Sequence, residues 1–276
     1  MILCLGFVCL YAFFAYATFQ CWKNRYAAGR VAADVETHPR IFLKALDRTF
    51  DIVNFSNALV ATVLSSIVLF ADPTGETTRP DIVRLADTTI ELICAYLLVE
   101  LPILIYSRRN LTRSASTVGD DFKSSYDGMI VFHAIALVGT STARCANAPV
   151  RRIALWAIWS ELASVFLGIE SFFEYNCFHL SHTNAYACVA LLATVAFVFQ
   201  RVVVFFYLSF FAWSRFVWTI AFGIQFACLL IGTGLNVAFA LERCYWMASW
   251  IRANYFTSHS SIWANRHESV YPNKTH

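Results

Sequence analysis

Glu161 stands near the middle of an apolar stretch from Ile153 to Phe173, Arg201 near the middle of another from Ala185 to Phe211, and His133 inside a third from Asp127 to Ala143. An imidazole can move a proton near neutral pH, a carboxylate can orient it, and a guanidinium can hold a carboxylate or phosphate. Hydrocarbon resists the two charged groups by roughly 2.5–3.5 kcal/mol each at mid-helix, so such residues face a bundle interior, a cavity or a partner. The same test of what an apolar stretch should exclude also selects Asn57, Glu91, Glu100, Glu170 and Asn236.

Arg201 keeps its proton at any ordinary pH, so it needs a carboxylate, backbone carbonyls or a lipid phosphate. Glu161 and Glu100 are the candidate partners. Such a pair either fixes helix register as an internal salt bridge or belongs to a functional site, and the sequence leaves both open. His133 is inexpensive to bury when neutral, and a lone His on an apolar helix is more often a hydrogen-bonded packing residue than a base. His179 and His182 have no cysteine or carboxylate placed to complete a tetrahedral site, so no metal is expected.

The elements that must position these groups are membrane helices. Apolar residues make up 58% of the 276-residue chain and charged residues 14%, against about 45–50% and 25% in soluble domains. Seven apolar stretches are visible: Ile2–Trp22, Phe50–Ala71, Asp87–Ser107, Asp127–Ala143, Ile153–Phe173, Ala185–Phe211 and Arg215–Ala240. Most approach the ~20 residues that a span requires; the fourth is the shortest. The expected fold is all-α, with residues 1–47 forming an N-terminal anchor and basic loop, 48–240 a six-helix bundle, and 241–276 a cytosolic tail.

The first stretch lacks a basic leader and a small-x-small cleavage pattern, so it reads as a retained anchor. Lys23, Arg25, Arg30, Arg40, Lys44 and Arg48 follow it, and basic loops stay cytosolic, which puts the N-terminus outside. Arg144, Arg151 and Arg152 are the weakest point of that orientation. The net charge of +3 follows from the cytosolic loops, so no nucleic-acid partner is implied. Nine cysteines are scattered without ligand spacing, and Tyr245, Trp246, Trp250 and Tyr255 suit an interfacial belt.

At about 100° per residue, Ala157, Glu161, Ser164 and Gly168 share a narrow face of the fifth stretch, small apart from the acid. Asn54, Asn57, Ala61 and Leu64 share one in the second, and Gly232, Thr233, Asn236 and Phe239 one in the seventh. Both can meet the face of Glu161.

The order of these residues resembles the TLC-domain family, which groups ceramide synthases, the translocating-chain-associated membrane protein, the ceroid-lipofuscinosis membrane protein and small lipid-linked relatives. Asn57-Ala-Leu-Val-Ala-Thr-Val is similar to its N-x-x-V-S-x-V, and Ala95-Tyr-Leu-Leu-Val-Glu100 to G-Y-F-I-Y-D. Phe132-His133-Ala134 sits where a His doublet is usual, and Glu161-Leu-Ala-Ser-Val-Phe-Leu167 resembles E-L-S-T-P-F-L. Phe197-Val-Phe-Gln-Arg201 and Leu235-Asn236 fit F-x-x-x-R and the final L-N. Leu64 and Ala134 depart from the family's histidines, and no acid occurs between His133 and Arg151, which argues for a small TLC-domain protein rather than a true ceramide synthase.

The resemblance implies membrane lipids as ligands, the endoplasmic reticulum as the membrane, and a lipid-facing cavity in which Asn57, Glu100, Ser164, Arg201 and Asn236 are lining or structural polar groups. Membrane proteins are further candidate partners. No bound cofactor is expected. If the protein is an acyltransferase, acyl-CoA is a substrate, His133 the base or acyl acceptor, and Glu161 or Glu100 its orienting acid. A non-enzymatic lipid-binding or lipid-sensing role fits the incomplete His set better. A transporter or receptor is a minor alternative, since neither an internal repeat nor paired broken half-helices are visible.

Overall fold

The computed structural model describes residues 2–28, 38–72, 79–114, 120–144, 148–175, 183–214 and 219–252. Helices α1 (Ile2–Ala28), α2 (His38–Ala71), α3 (Pro80–Ser114), α4 (Asp120–Arg144), α5 (Ala148–Trp159), α6 (Leu162–Tyr175), α7 (Thr183–Phe197), α8 (Val204–Ser214) and α9 (Ile220–Ile251) follow in order, with a π-helical turn at Val198–Val203 joining α7 to α8. No strand occurs among the described residues. The α5–α6 and α7–α8 pairs each form one interrupted rod, so seven rods result.

Helix starts follow from local chemistry. Pro80 opens α3, where its missing N–H costs nothing, and Asp81 follows in the first turn. The Thr219 side chain caps α9 by accepting from the Phe222 N–H at 3.2 Å. Inside the rods, hydroxyls turn back to their own helix: Thr49, Ser65, Thr89, Ser107, Thr140, Thr194 and Thr233 each donate to the carbonyl four residues earlier. This satisfies the hydroxyls without water.

Six rods are long and apolar enough to cross a membrane: Leu3–Arg25, Arg48–Ala71, Pro80–Arg109, Ala148–Phe173, Asn184–Ser214 and Ile220–Ile251. The remaining rod, α4, has 25 residues, roughly 37 Å at 1.5 Å per residue. Its first turns, Asp-Asp-Phe-Lys-Ser-Ser-Tyr-Asp, dilute its apolar character. It nevertheless packs between α3 and α9.

The packing order closes a ring: α2 meets α3, α3 meets α4, α4 meets α9, α9 meets α7–α8, α6 meets α7, and α5 and α6 return to α2. Helix α1 lies outside the ring against α2 and α3. One apolar core joins α1, α2, α3 and α5 through residues such as Tyr11, Ala61, Ile90 and Leu155. A second joins α5, α8 and α9 through Ile153, Leu208 and Leu229. Phe70, Phe206, Phe210 and Ile220 point outward, as a lipid-facing surface requires.

Three expectations change. The fifth apolar stretch is not one continuous helix, because Ser160 and Glu161 form a turn between α5 and α6. The face of Gly232, Thr233 and Phe239 packs on α8 and α4, and Gly232 shares with the face of Glu161 only the cavity that both line: Gly232 sits beside Phe205 of α8, Thr233 bonds Ser209 of α8 at 3.1 Å, and Phe239 stacks edge-on against Phe132 of α4. Helix α9 also continues past Ala240 to Ile251. Trp250 is consequently buried against Tyr186 of α7, while Tyr245 stays exposed; the interfacial belt is therefore only partly formed. Tyr255, His179 and His182 lie outside the described residues.

Candidate functional site in the bundle centre

The turn that holds Glu161 has a local cause. The Ser160 hydroxyl donates to the Ala157 carbonyl at 2.5 Å, and the Glu161 N–H reaches only three residues back, to Ile158 at 2.9 Å. A side chain that competes for a backbone carbonyl, together with a 3₁₀-type bond, tightens the chain where the acid must turn inward. On the neighbouring rod Arg201 sits in the π-helical turn Val198–Val203. Both charged residues thus occupy irregular backbone at mid-span.

Arg201 is 6% exposed. Its Nη2 lies 2.7 Å from Oε2 of Glu161 and donates to Oγ of Ser164 at 3.0 Å. The Ser164 hydroxyl in turn donates to the same Glu161 oxygen at 2.8 Å. The guanidinium carbon stands 5.4 Å from the Phe132 ring centre, close enough for a cation–π contribution. Of the two acids that the sequence offered Arg201, Glu161 is the one it meets.

Glu100 serves a different cation. His133 Nε2 stands 2.9 Å from Glu100 Oε2, and Nδ1 lies 2.7 Å from the Met129 carbonyl. A carbonyl only accepts, so Nδ1 carries hydrogen, and Nε2 faces the carboxylate at ion-pair distance. The orienting acid for His133 therefore precedes it in the chain.

A cavity of about 130 Å³ lies between these groups and draws lining residues from all six rods of the ring, among them Asn57, Tyr96, His133, Glu161, Arg201 and Gln225. Asn57 accepts from the Tyr11 hydroxyl at 2.8 Å, and Asn54 from Tyr96 at 3.1 Å. Ser164 lines the cavity as well. Glu100 is behind the wall, beside a much smaller space between α1, α2 and α3. Asn236 is 1% exposed but is not part of the lining.

The remaining acids are bridged too. Glu91 of α3 lies 2.5 Å from Arg144 of α4, and Glu170 of α6 pairs with Arg243 of α9. Sequence reasoning missed both partners, having placed Arg144 in a loop and Arg243 in a tail. It also passed over Gln225, although a glutamine inside Arg215–Ala240 meets the test that selected Asn236. Tyr11 and Tyr96 carry no comparable signal, since a tyrosine in an apolar stretch is ordinary. Among the described residues no group of three His, Cys, Asp or Glu side chains is placed to hold a metal.

Comparison with known proteins bears on the bundle as a whole. No curated protein and no solved structure gave a match to the chain. The profile of the TLC domain matches residues 51–252, a span that begins in α2, excludes the outlying α1, and ends with α9. Because that match covers the ring of six rods and most of the sequence, the chain belongs to the TLC-domain family of multi-pass membrane proteins.

Proposed function

We propose that the protein binds an amphipathic membrane lipid in the central cavity and acts in membrane lipid homeostasis as a lipid-binding or lipid-sensing component, with the endoplasmic reticulum as its membrane. The observation that carries this reading is the cavity itself: all six rods supply its wall, and the wall combines apolar side chains with Arg201, Glu161, His133 and Asn57. Sites for small ligands are mostly apolar with a few convergent polar groups. An isolated polar cavity inside hydrocarbon otherwise costs stability.

Acyl transfer through His133 is the weaker reading. A base must reach the proton that it abstracts, and here both ring nitrogens are engaged, one by Met129 and the other by Glu100. Lipid profiling of cells that lack the protein, rescued with wild type, His133→Ala or Glu161→Gln, tests the proposal. Wild type is expected to restore an altered profile and Glu161→Gln to restore it less well. A profile that does not change when the protein is removed sinks the lipid reading. Full rescue by His133→Ala at normal abundance excludes acyl transfer while leaving binding intact.

A further inference from the structure

The cavity wall is balanced in charge. Its guanidinium is matched by Glu161, and its imidazole by Glu100 at 2.9 Å behind the wall. Among the lining residues no other side chain carries charge. A phosphate or carboxylate entering this space would share Arg201 with Glu161, whose carboxylate already offsets the guanidinium of the wall, and would bring net negative charge into low dielectric. That addition is unfavourable, because a buried charge without a counter-charge of its own costs far more than an intact pair.

One lining group is left incomplete. Gln225 is 5% exposed, and its Oε1 has no hydrogen-bond partner among the described residues. The side chain lines the cavity, with Oε1 beside Gly139, where an added Cβ would stand 3.7 Å from it. A buried acceptor without a donor is destabilising. A ligand that brings an O–H satisfies it, and a hydroxyl oxygen can also accept from the wall. An engineered cavity of similar size, ~150 Å³, holds a molecule the size of benzene. The space therefore fits a small headgroup with its first methylenes, against Ile93, Leu97 and Leu229.

We infer that the cavity recognises the uncharged, hydroxyl-bearing head of a neutral lipid, with Gln225 Oε1 accepting the hydroxyl proton. This rests on the lipid-binding reading above and narrows it to one chemical class.

The test uses the full chain in phosphatidylcholine nanodiscs doped with either of two photo-crosslinking glycerolipids. Both carry a diazirine close to the glycerol and identical tails; one is a diacylglycerol and the other the corresponding phosphatidic acid, so they differ only in the phosphate. Diacylglycerol is expected to label cavity-lining peptides of α4 and α9 at least tenfold more than phosphatidic acid. Gln225→Leu is expected to reduce that labelling at least fivefold. Gly139→Ala provides a second variant: its methyl meets only ordinary contacts, 3.5 Å from the Cβ of Cys228, so the fold is kept while the space beside Gln225 shrinks and labelling falls.

Equal or stronger labelling by phosphatidic acid overturns the inference and leaves lipid binding standing. Labelling by diacylglycerol that neither variant reduces overturns it as well. Labelling of the cavity by neither lipid overturns both this inference and the lipid-binding reading.

Discussion

Arg201 and Glu161 face each other at 2.7 Å from two rods that both abandon regular α-helix at that level, one through a π-helical turn and the other through a turn at Ser160 and Glu161. Mid-helix π turns frequently mark functional sites. Each irregularity changes the direction of one charged side chain relative to a regular helix, and together they bring a guanidinium and a carboxylate to one wall of the cavity.

This relationship makes the pair costly to break and inexpensive to delete whole. Removing one partner of a buried ion pair typically costs roughly 3–5 kcal/mol, whereas replacing both by apolar groups is often neutral. Glu161 keeps 22% of its side chain exposed, which places the expected loss at the lower end. Arg201→Leu should sharply lower the amount of folded protein in membranes, and adding Glu161→Leu should restore most of it. Fluorescence-detected size exclusion of the single and double variants is the measurement, and a double variant no better than Arg201→Leu would show that the pairing is not what stabilises this wall.

His133 and Glu100 make a parallel case with a different consequence. His133→Ala takes the imidazole away from a carboxylate that is 5% exposed, so abundance should fall. Combining it with Glu100→Leu should recover abundance. If His133 acts structurally, the lipid profile of cells carrying the double variant should follow that recovered abundance. A double variant that is abundant yet inactive would instead assign His133 a direct role toward the lipid.

How much of this was legible in the sequence depends on the physics that each feature obeys. The rods were legible because membrane spans announce themselves by composition and length, and Arg201, Glu161 and His133 were legible because hydrocarbon makes their presence conspicuous. Pairing was less so: Glu161 for Arg201 was one of two options, and Glu100 for His133 depends on α3 lying beside α4, which no local pattern encodes. The turn at Ser160 and the π turn at Arg201 were invisible because neither contains Pro or Gly, and the face assigned at a uniform 100° per residue from Ala157 to Gly168 ran straight through the first. The end of α9 was misplaced because Glu242 and Arg243 resemble the start of a polar tail. Their place in the helix follows from Arg243 finding Glu170 on another rod.

That last point predicts the effect of shortening the chain. A protein ending at Arg252 keeps Arg243 with Glu170, and Met247 and Trp250 in the core that includes Tyr186 and Ala190. One ending at Ala240 loses all three and takes the Arg243 guanidinium away from Glu170, which is 4% exposed. The shorter chain should accumulate far less than the longer one in the same membrane. Glu170→Leu in the shorter chain should recover part of the deficit, because the carboxylate that lost the Arg243 guanidinium is then gone. Equal accumulation of the two truncations, measured by immunoblot of washed membranes, would show that the last turns of α9 contribute nothing to stability.

Gly168 gives the most local test of the packing. A Cβ at this position would stand 2.6 Å from Cδ2 and 3.0 Å from Cβ of Phe55, closer than real side chains approach. Glycine is needed here for the approach of α6 to α2, next to the face that presents Asn54 and Asn57 to the cavity. Overpacking of this kind typically costs about 1–3 kcal/mol, so Gly168→Ala should lower the thermal midpoint of the purified protein, and Gly168→Val should lower it further. Phe55→Ala removes the ring that the added methyl would strike. On its own it should also destabilise by leaving a void, but in its presence Gly168→Ala should become nearly neutral. The coupling between the two changes is thus expected to be large and favourable, as for residues that share one contact. Additive losses in the double variant would mean that α2 and α6 do not meet at Gly168, and the placement of Glu161 over the cavity would have to be redrawn with them.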